Sequence, residues 1–232
     1  MQSVVVFSLL SLLAPATTAS PVNSMPGKRA ASNACPSYTI INTRGTGEPQ
    51  GPSAGFQTMN SQITSQLSGG KIYNTVYPAD FSQNSAAGTQ DIINKISSTL
   101  KSSPNECFIL QGYSQGAAAT VNALPSLTGT SFDAVKGVFL IGDPEHKSGL
   151  ACNVDNNGGT TTANVNGLEA LLSSGIPDNW ISKTLDVCIF GDGVCDTTHG
   201  AGIDAQHLSY PFDSPTQKLG ESFIVKQLGG SS

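Results

Sequence analysis

The chain has 232 residues, of which 38% are hydrophobic and only 12% charged, and its formal net charge at pH 7 is −5. That acidic balance, with no basic patch interleaved with aromatics, argues against nucleic acid as a partner. After the opening segment no stretch approaches the roughly eighteen apolar residues that span a bilayer, so no stable membrane insertion is expected.

The chain opens with MQSVVVFSLLSLLAPATTAS, an apolar core ending in small residues, and residues 1–19 read as a signal peptide. Residues 20–29 are short and polar and end at Lys28–Arg29, a dibasic pair that suits propeptide processing. Residues 30–232 then fit one domain, long enough to bury a sizeable core. YTIINT (38–43) reads as the first strand and 53–68 as the first helix, with Ser53 as its cap. KIYNTVY (71–77) is the second strand. Residues 86–103 follow as a helix whose Ile92, Ile93, Ile96 and Leu100 recur at helical spacing. ECFILQ (106–111) is the third strand, followed by an Ala-rich helix over 115–124. VKGVFLIGD (135–143) and LDVCIFGD (185–192) are the fourth and fifth strands, and 215–228 is the last helix. Residues 155–167, rich in Asn, Gly and Thr, read as a surface excursion. Such alternation predicts an α/β fold: a central five-stranded parallel sheet with helices on both faces. Its catalytic groups belong on loops beyond the carboxyl ends of the strands.

Two stretches fit G-x-S-x-G, the pattern of a strained turn that presents a nucleophilic serine. GYSQG (112–116) has an apolar strand leading in and a helix leading out; GPSAG (51–55) follows a Gly/Pro turn. Ser114 is therefore the expected nucleophile, and Ser53 a helix cap. A serine hydroxyl needs a base, and the base needs a carboxylate to hold its tautomer. In a sheet of this kind the chain order is Ser, then acid, then His. His207 lies between the last strand and the last helix, where a loop can fold over the sheet edge. His199, on a Gly-rich loop, is the alternative, and His146 has only Asp143 and Glu145 as close, poorly placed acids. Asp192 is the expected acid, at the end of the fifth strand. Asp143 is its rival, although Asp before Pro commonly forms turns.

The oxyanion of an acyl-transfer intermediate needs two donors. One is the backbone N–H of Gln115 at the start of the helix. The other is expected in TRGTGEPQG, where Thr46 offers an N–H and a hydroxyl; a plain Gly/Pro turn is the alternative reading. Five cysteines in an oxidising compartment predict two pairs and one left over. Cys188 and Cys195 are close enough to close a small loop. Cys35 and Cys107 would then pin the N-terminus, leaving Cys152. Neither C-x-x-C nor H-E-x-x-H occurs, so no metal or other cofactor is expected.

From Cys35 to the C-terminus the motifs RGTGE, GYSQGA, CIFGDGVC and HLSY occur in order, and the chain resembles the cutinase family of secreted serine esterases. The resemblance implies a compact, lidless α/β-hydrolase with nucleophile Ser114, acid Asp192, base His207 and oxyanion donors at Thr46 and Gln115. It implies the bridges Cys35–Cys107 and Cys188–Cys195, and an Asn84 that supports the oxyanion loop. Cutin, short acyl esters and aliphatic polyesters become the expected substrates, bound by a secreted monomer. The acetylxylan esterases of the same fold family are the alternative, and a catalytically silent binding module is disfavoured by the intact triad. The stretch from Glu145 to Ser174, with Cys152, departs from the smallest members. Tyr77, Phe81, Trp180, Ile181, Leu208 and Tyr210 fall near the expected active edge. Phe81 and Leu208, with Asn84, are read as substrate-binding.

Overall fold

The computed structural model describes residues 1–3 and 35–229, so the expected leader (1–19), apart from its first three residues, and the dibasic segment (20–29) lie outside the described residues. Six strands pair in one sheet: β1 (Tyr38–Thr43), β2 (Gly70–Asn74), β3 (Cys107–Tyr113), β4 (Val135–Ile141), β5 (Asn153–Val154) and β6 (Thr184–Val187). Their order across the sheet is β2-β1-β3-β4-β6-β5, and every pairing is parallel. The central strands β1 and β3 are buried along their whole length. This is why they read as continuous apolar runs rather than as alternating ones.

Side chains alternate across the sheet and sort into two cores. Phe108 and Leu110 of β3 pack with Ile92 and Ile96 of α2 (Ala86–Ser102) and the alanines of α3 (Gln115–Ala123). Ile109 of β3 points the other way, into Met59 and Ile63 of α1 (Gln57–Gln66) and Ile224 of α6 (Ser214–Gln227). Two short helices, α4 (Thr130–Ala134) and α5 (Asp178–Ile181), complete the order along the chain. Among the described residues no helix is long and apolar enough to cross a membrane.

The sheet has one strand more than expected. β5 comes from the stretch after Glu145 and holds the sheet edge through Asp186 N–H to Cys152 O (2.9 Å) and Cys188 N–H to Val154 O (3.0 Å). β6 ends earlier than expected, at Val187, and Asp192 lies past it in a turn where its N–H bonds Ile189 O at 3.0 Å. Disulfides join Cys35 to Cys107 and Cys188 to Cys195; Cys152 is free and buried. Burial, reinforced by Asp186 and Asp143, pushes the Cys152 thiol up to about 12, which makes it unreactive. Of the six large residues expected on the rim, Trp180, Tyr77 and Tyr210 are buried and Ile181 packs against a core, whereas Phe81 and Leu208 are exposed.

Candidate active site

Ser114 sits between β3 and α3 with φ 55° and ψ −124°, a left-handed conformation that a side chain rarely takes. Such strain costs about 1–3 kcal/mol and persists only where the surroundings fix it. Here Ser114 N–H bonds Ile141 O (3.0 Å), and its own carbonyl accepts from Ala117 (2.7 Å) and Ala118 (3.2 Å) at the helix start. The flanking glycines are demanded by contact. A Cβ on Gly112 would lie 2.6 Å from the Ala117 Cα, and one on Gly116 only 2.2 Å from the Thr43 carbonyl oxygen.

GPSAG lacks the strained turn. Ser53 is buried in extended backbone, its hydroxyl donates to Glu48 Oε2 (2.8 Å), and it accepts the Gly55 N–H as a helix cap. Its hydroxyl ties the helix start to the loop beside Ser114.

The structure brings Ser114, His207 and Asp192 together. His207 Nε2 is 2.9 Å from Ser114 Oγ, and His207 Nδ1 is 2.9 Å from Asp192 Oδ1 and 3.1 Å from Oδ2. Asp192 is fully buried yet satisfied, accepting also from Val194 N–H (2.9 Å) and the Tyr210 phenol (2.8 Å). The loop of His207 is anchored as well. His207 N–H donates to Asp204 Oδ1 (2.8 Å), Gly193 N–H donates to Asp204 Oδ2 (2.9 Å), and the Tyr113 hydroxyl donates to His207 O (2.6 Å). Asp204 thus links the loop of Asp192 to the loop of His207, a link that a lone acidic residue in a loop does not announce in sequence.

The loop 44–48, where the oxyanion donor Thr46 is expected, runs beside the serine: a Cβ on Gly45 would be 3.3 Å from Ser114 Cβ. Glu48 fixes it by accepting the N–H groups of Gly45 (2.6 Å) and Ala54 (2.7 Å). Arg44, buried, reaches the carbonyls of Tyr77 (2.6 Å) and Pro78 (3.2 Å). Thr46 lines the cleft with Ser114, and Gln115 begins α3, where the first N–H groups of a helix have no internal acceptor. Asn84 is not the residue that meets this loop. Gln83 is, its Oε1 accepting the Thr46 hydroxyl at 3.1 Å, while Asn84 Oδ1 accepts the Ala86 N–H (3.1 Å) at the start of α2. Neighbouring amides in an exposed turn are indistinguishable by pattern, so sequence could not choose between them.

The cleft over the serine holds about 180 Å³ and is walled by Thr46, Tyr113, Ile203, His207, Leu208 and Pro211. Ile203 and Leu208 are 52% and 58% exposed, leaving an apolar mouth. Phe81, 79% exposed, stands against Gly47 of the 44–48 loop.

The other titratable candidates lie elsewhere. His199 is on the surface, its ring tilted against that of Phe190 with centroids 4.3 Å apart. His146 is fully buried, with Nδ1 2.6 Å from Asp186 Oδ2 and Nε2 3.1 Å from Thr162 O. Asp143 accepts the Glu145 N–H (2.9 Å) in an Asp-Pro turn. One oxygen of Asp143 and one of Asp186 are buried with no hydrogen-bond partner among the described residues.

This buried cluster carries a pH dependence. Burial, then the charges of Asp186 and Glu145, raise Asp143 well above 3.8. Burial alone would lower His146, but Asp186, with the Thr162 carbonyl and Asp196, outweighs it and holds the imidazole above 6.5. Both groups bind more protons folded than unfolded, so their contribution falls as pH rises: from 3.8 upward for Asp143, and from 6.5 through its raised value for His146. Asp155 and Asp196 have the opposite sign. Their carboxyls sit below 3.8, because the backbone and hydroxyl donors around each outweigh its burial, and that stability is lost in acid. The melting temperature is therefore expected to peak in acidic buffer and to fall as pH rises, more steeply above 6.5 where His146 joins Asp143. A scan of Tm against pH checks this. Asp143→Asn, permanently neutral, should flatten the fall, and an unchanged slope would contradict the assignment.

The family model for Cutinase matches residues 34–228. A solved structure, "A novel cutinase-like protein from Cryptococcus sp.", is 69% identical with a TM-score of 0.85, covering 88% of this chain and all of that one. The "Carboxylesterase Culp1" of Mycobacterium tuberculosis is 30% identical over 84% of both chains. An acetylxylan esterase structure, 22% identical with a TM-score of 0.69 over 84% of this chain and all of that one, shares the fold. By the breadth of the family match and the identity of these relatives, the chain belongs to the cutinase family and is a carboxylic ester hydrolase.

Proposed function

We propose that the protein is a secreted serine esterase that hydrolyses cutin, short-to-medium acyl esters and aliphatic polyesters through an acyl-enzyme. The unbroken line of hydrogen bonds from Asp192 through His207 to Ser114, at the floor of an open apolar cleft, carries this reading. In it, Ser114 Oγ attacks the ester carbonyl while His207 Nε2 takes its proton. Asp192 stabilises the resulting imidazolium and fixes the tautomer that leaves Nε2 free to accept. The carbonyl oxygen, now an anion, is held by the backbone N–H groups of Gln115 and Thr46. Gln83 and Glu48 keep that loop in place, so the donors need no reorganisation when charge develops. The intermediate collapses, the alcohol departs with the proton from His207, and water attacks the acyl-serine by the same steps in reverse. The two disulfides support an oxidising compartment, in keeping with cleavage of residues 1–19, processing at Lys28–Arg29 and export as a monomer.

The apolar mouth favours a carbon chain over an acetylated sugar. Each acyl methylene buried against Leu208 or Ile203 should contribute up to about 0.8 kcal/mol, a few-fold in kcat/KM. The efficiency should rise from acetate to butyrate and level off where the cleft ends. Replacing Leu208 by a charged residue should weaken polyester hydrolysis more than acetate hydrolysis. The measurement is kcat/KM over an acetate-to-octanoate series beside acetyl release from acetylated xylan. A preference for acetyl groups and xylan would overturn the assignment in favour of an acetylxylan esterase.

A further inference from the structure

Tyr210, the last residue of HLSY, is not at the rim but fully buried, its ring 6.3 Å from that of His207 and 5.8 Å from that of Tyr113. Its hydroxyl lies inside the turn after β6. It accepts the Ile189 N–H at 3.1 Å and stands 2.8 Å from Asp192 Oδ2. A phenol has one proton to give. The competing acceptor, Val187 O, is at 3.5 Å, the outer limit of hydrogen-bond geometry, so the proton goes to the carboxylate. The Cys195 sulfur is 3.2 Å from the same oxygen but belongs to the bridge with Cys188 and carries no proton. Oδ1 takes the Val194 N–H together with the shorter of the two contacts from His207. Apart from the base itself, the Tyr210 phenol is the donor that fixes Oδ2.

We infer that Tyr210 is a positioning residue for ester hydrolysis, its phenol holding the Asp192 carboxylate in the orientation that meets His207 Nδ1; this rests on the triad reading above. One short motif thereby supplies the base and the anchor of the acid. Burial, then the charge of Asp192, raises the Tyr210 phenol well above its usual 10, which keeps it a donor across the working range of pH. Without that donor Oδ2 is no longer fixed and the carboxylate is set less firmly against the ring, although Val194 N–H keeps Oδ1 facing His207 Nδ1. Whatever charge the phenol had drawn is returned to the imidazolium, which then holds its proton more firmly.

The test is Tyr210→Phe, confirmed as folded by circular dichroism and assayed on a chromogenic butyrate ester from pH 5 to 9. The expected result is a loss in kcat of roughly ten- to a hundred-fold, the size of a hydrogen bond to a charged group, with KM little changed. The acid limb of the pH–rate profile should move to higher pH, a change that lost packing alone does not produce. In an Asp192→Asn background the same substitution should cost much less, because the charge it acts through is gone. If Tyr210→Phe does not fold, 3-fluorotyrosine placed at 210 keeps the shape and strengthens the donor, and the acid limb should then move to lower pH. Unchanged kcat and pH profile in Tyr210→Phe, equal losses in both backgrounds, or an unmoved limb with fluorotyrosine would each overturn the proposal. Full activity in Asp192→Asn alone would overturn the triad reading, and the proposal with it.

Discussion

Ser114→Ala is expected to lower kcat for a soluble ester by about five to six orders of magnitude, the usual consequence of removing the nucleophile of a serine triad. The Michaelis complex should survive, because the cleft walls and oxyanion donors remain. Ser53→Ala, in the twin motif, should keep most of its activity. Its hydroxyl meets Glu48 and caps a helix, so its loss should appear as roughly 1 kcal/mol of stability and a slightly looser oxyanion loop. Rates for the two variants on a butyrate ester, alongside their melting curves, settle the contrast. A comparable collapse of activity in a folded Ser53→Ala protein would contradict it.

The second large effect is expected for Asp192→Asn, about ten-thousand-fold in kcat. An amide has one acceptor where the carboxylate has two, and this site presents a fixed donor to each oxygen: Val194 N–H to Oδ1 and the Tyr210 hydroxyl to Oδ2. Whichever way the Asn turns, its NH2 group meets a donor. It also pushes His207 toward the tautomer that carries its proton on Nε2, where it can no longer accept from Ser114. Steady-state kinetics checks the magnitude, and the two-donor cage predicts a fall in Tm alongside it. Full activity in Asp192→Asn would return attention to Asp143.

The parts of this architecture that are local in cause were legible in the sequence. The strand CFILQ announces β3 because a parallel strand covered on both faces is apolar throughout. The two glycines around Ser114 announce the elbow because Thr43 and Ala117 leave no room for a Cβ. Asp192 was legible as the candidate acid from its closed cysteine loop, although the strand stops at Val187 and it is the turn that aims the carboxylate. What sequence hid depends on partners far along the chain. β5 is two residues in a polar run, a strand only because β6 offers it an edge. Tyr210 and Trp180 carry both apolar area and a polar group, so proximity to the active edge in sequence could not tell rim from core. His146 and Asp186, 40 residues apart, form a buried pair that no spacing rule joins.

The central claim, that Ser114 forms the acyl-enzyme, is tested most directly by reaction with a p-nitrophenyl alkylphosphonate followed by peptide mass spectrometry. One adduct per chain is predicted, on the peptide carrying Ser114, forming in step with the loss of esterase activity and absent from His207→Gln on the same timescale. An adduct on Ser53, or complete labelling of Ser114 with activity retained, would contradict it.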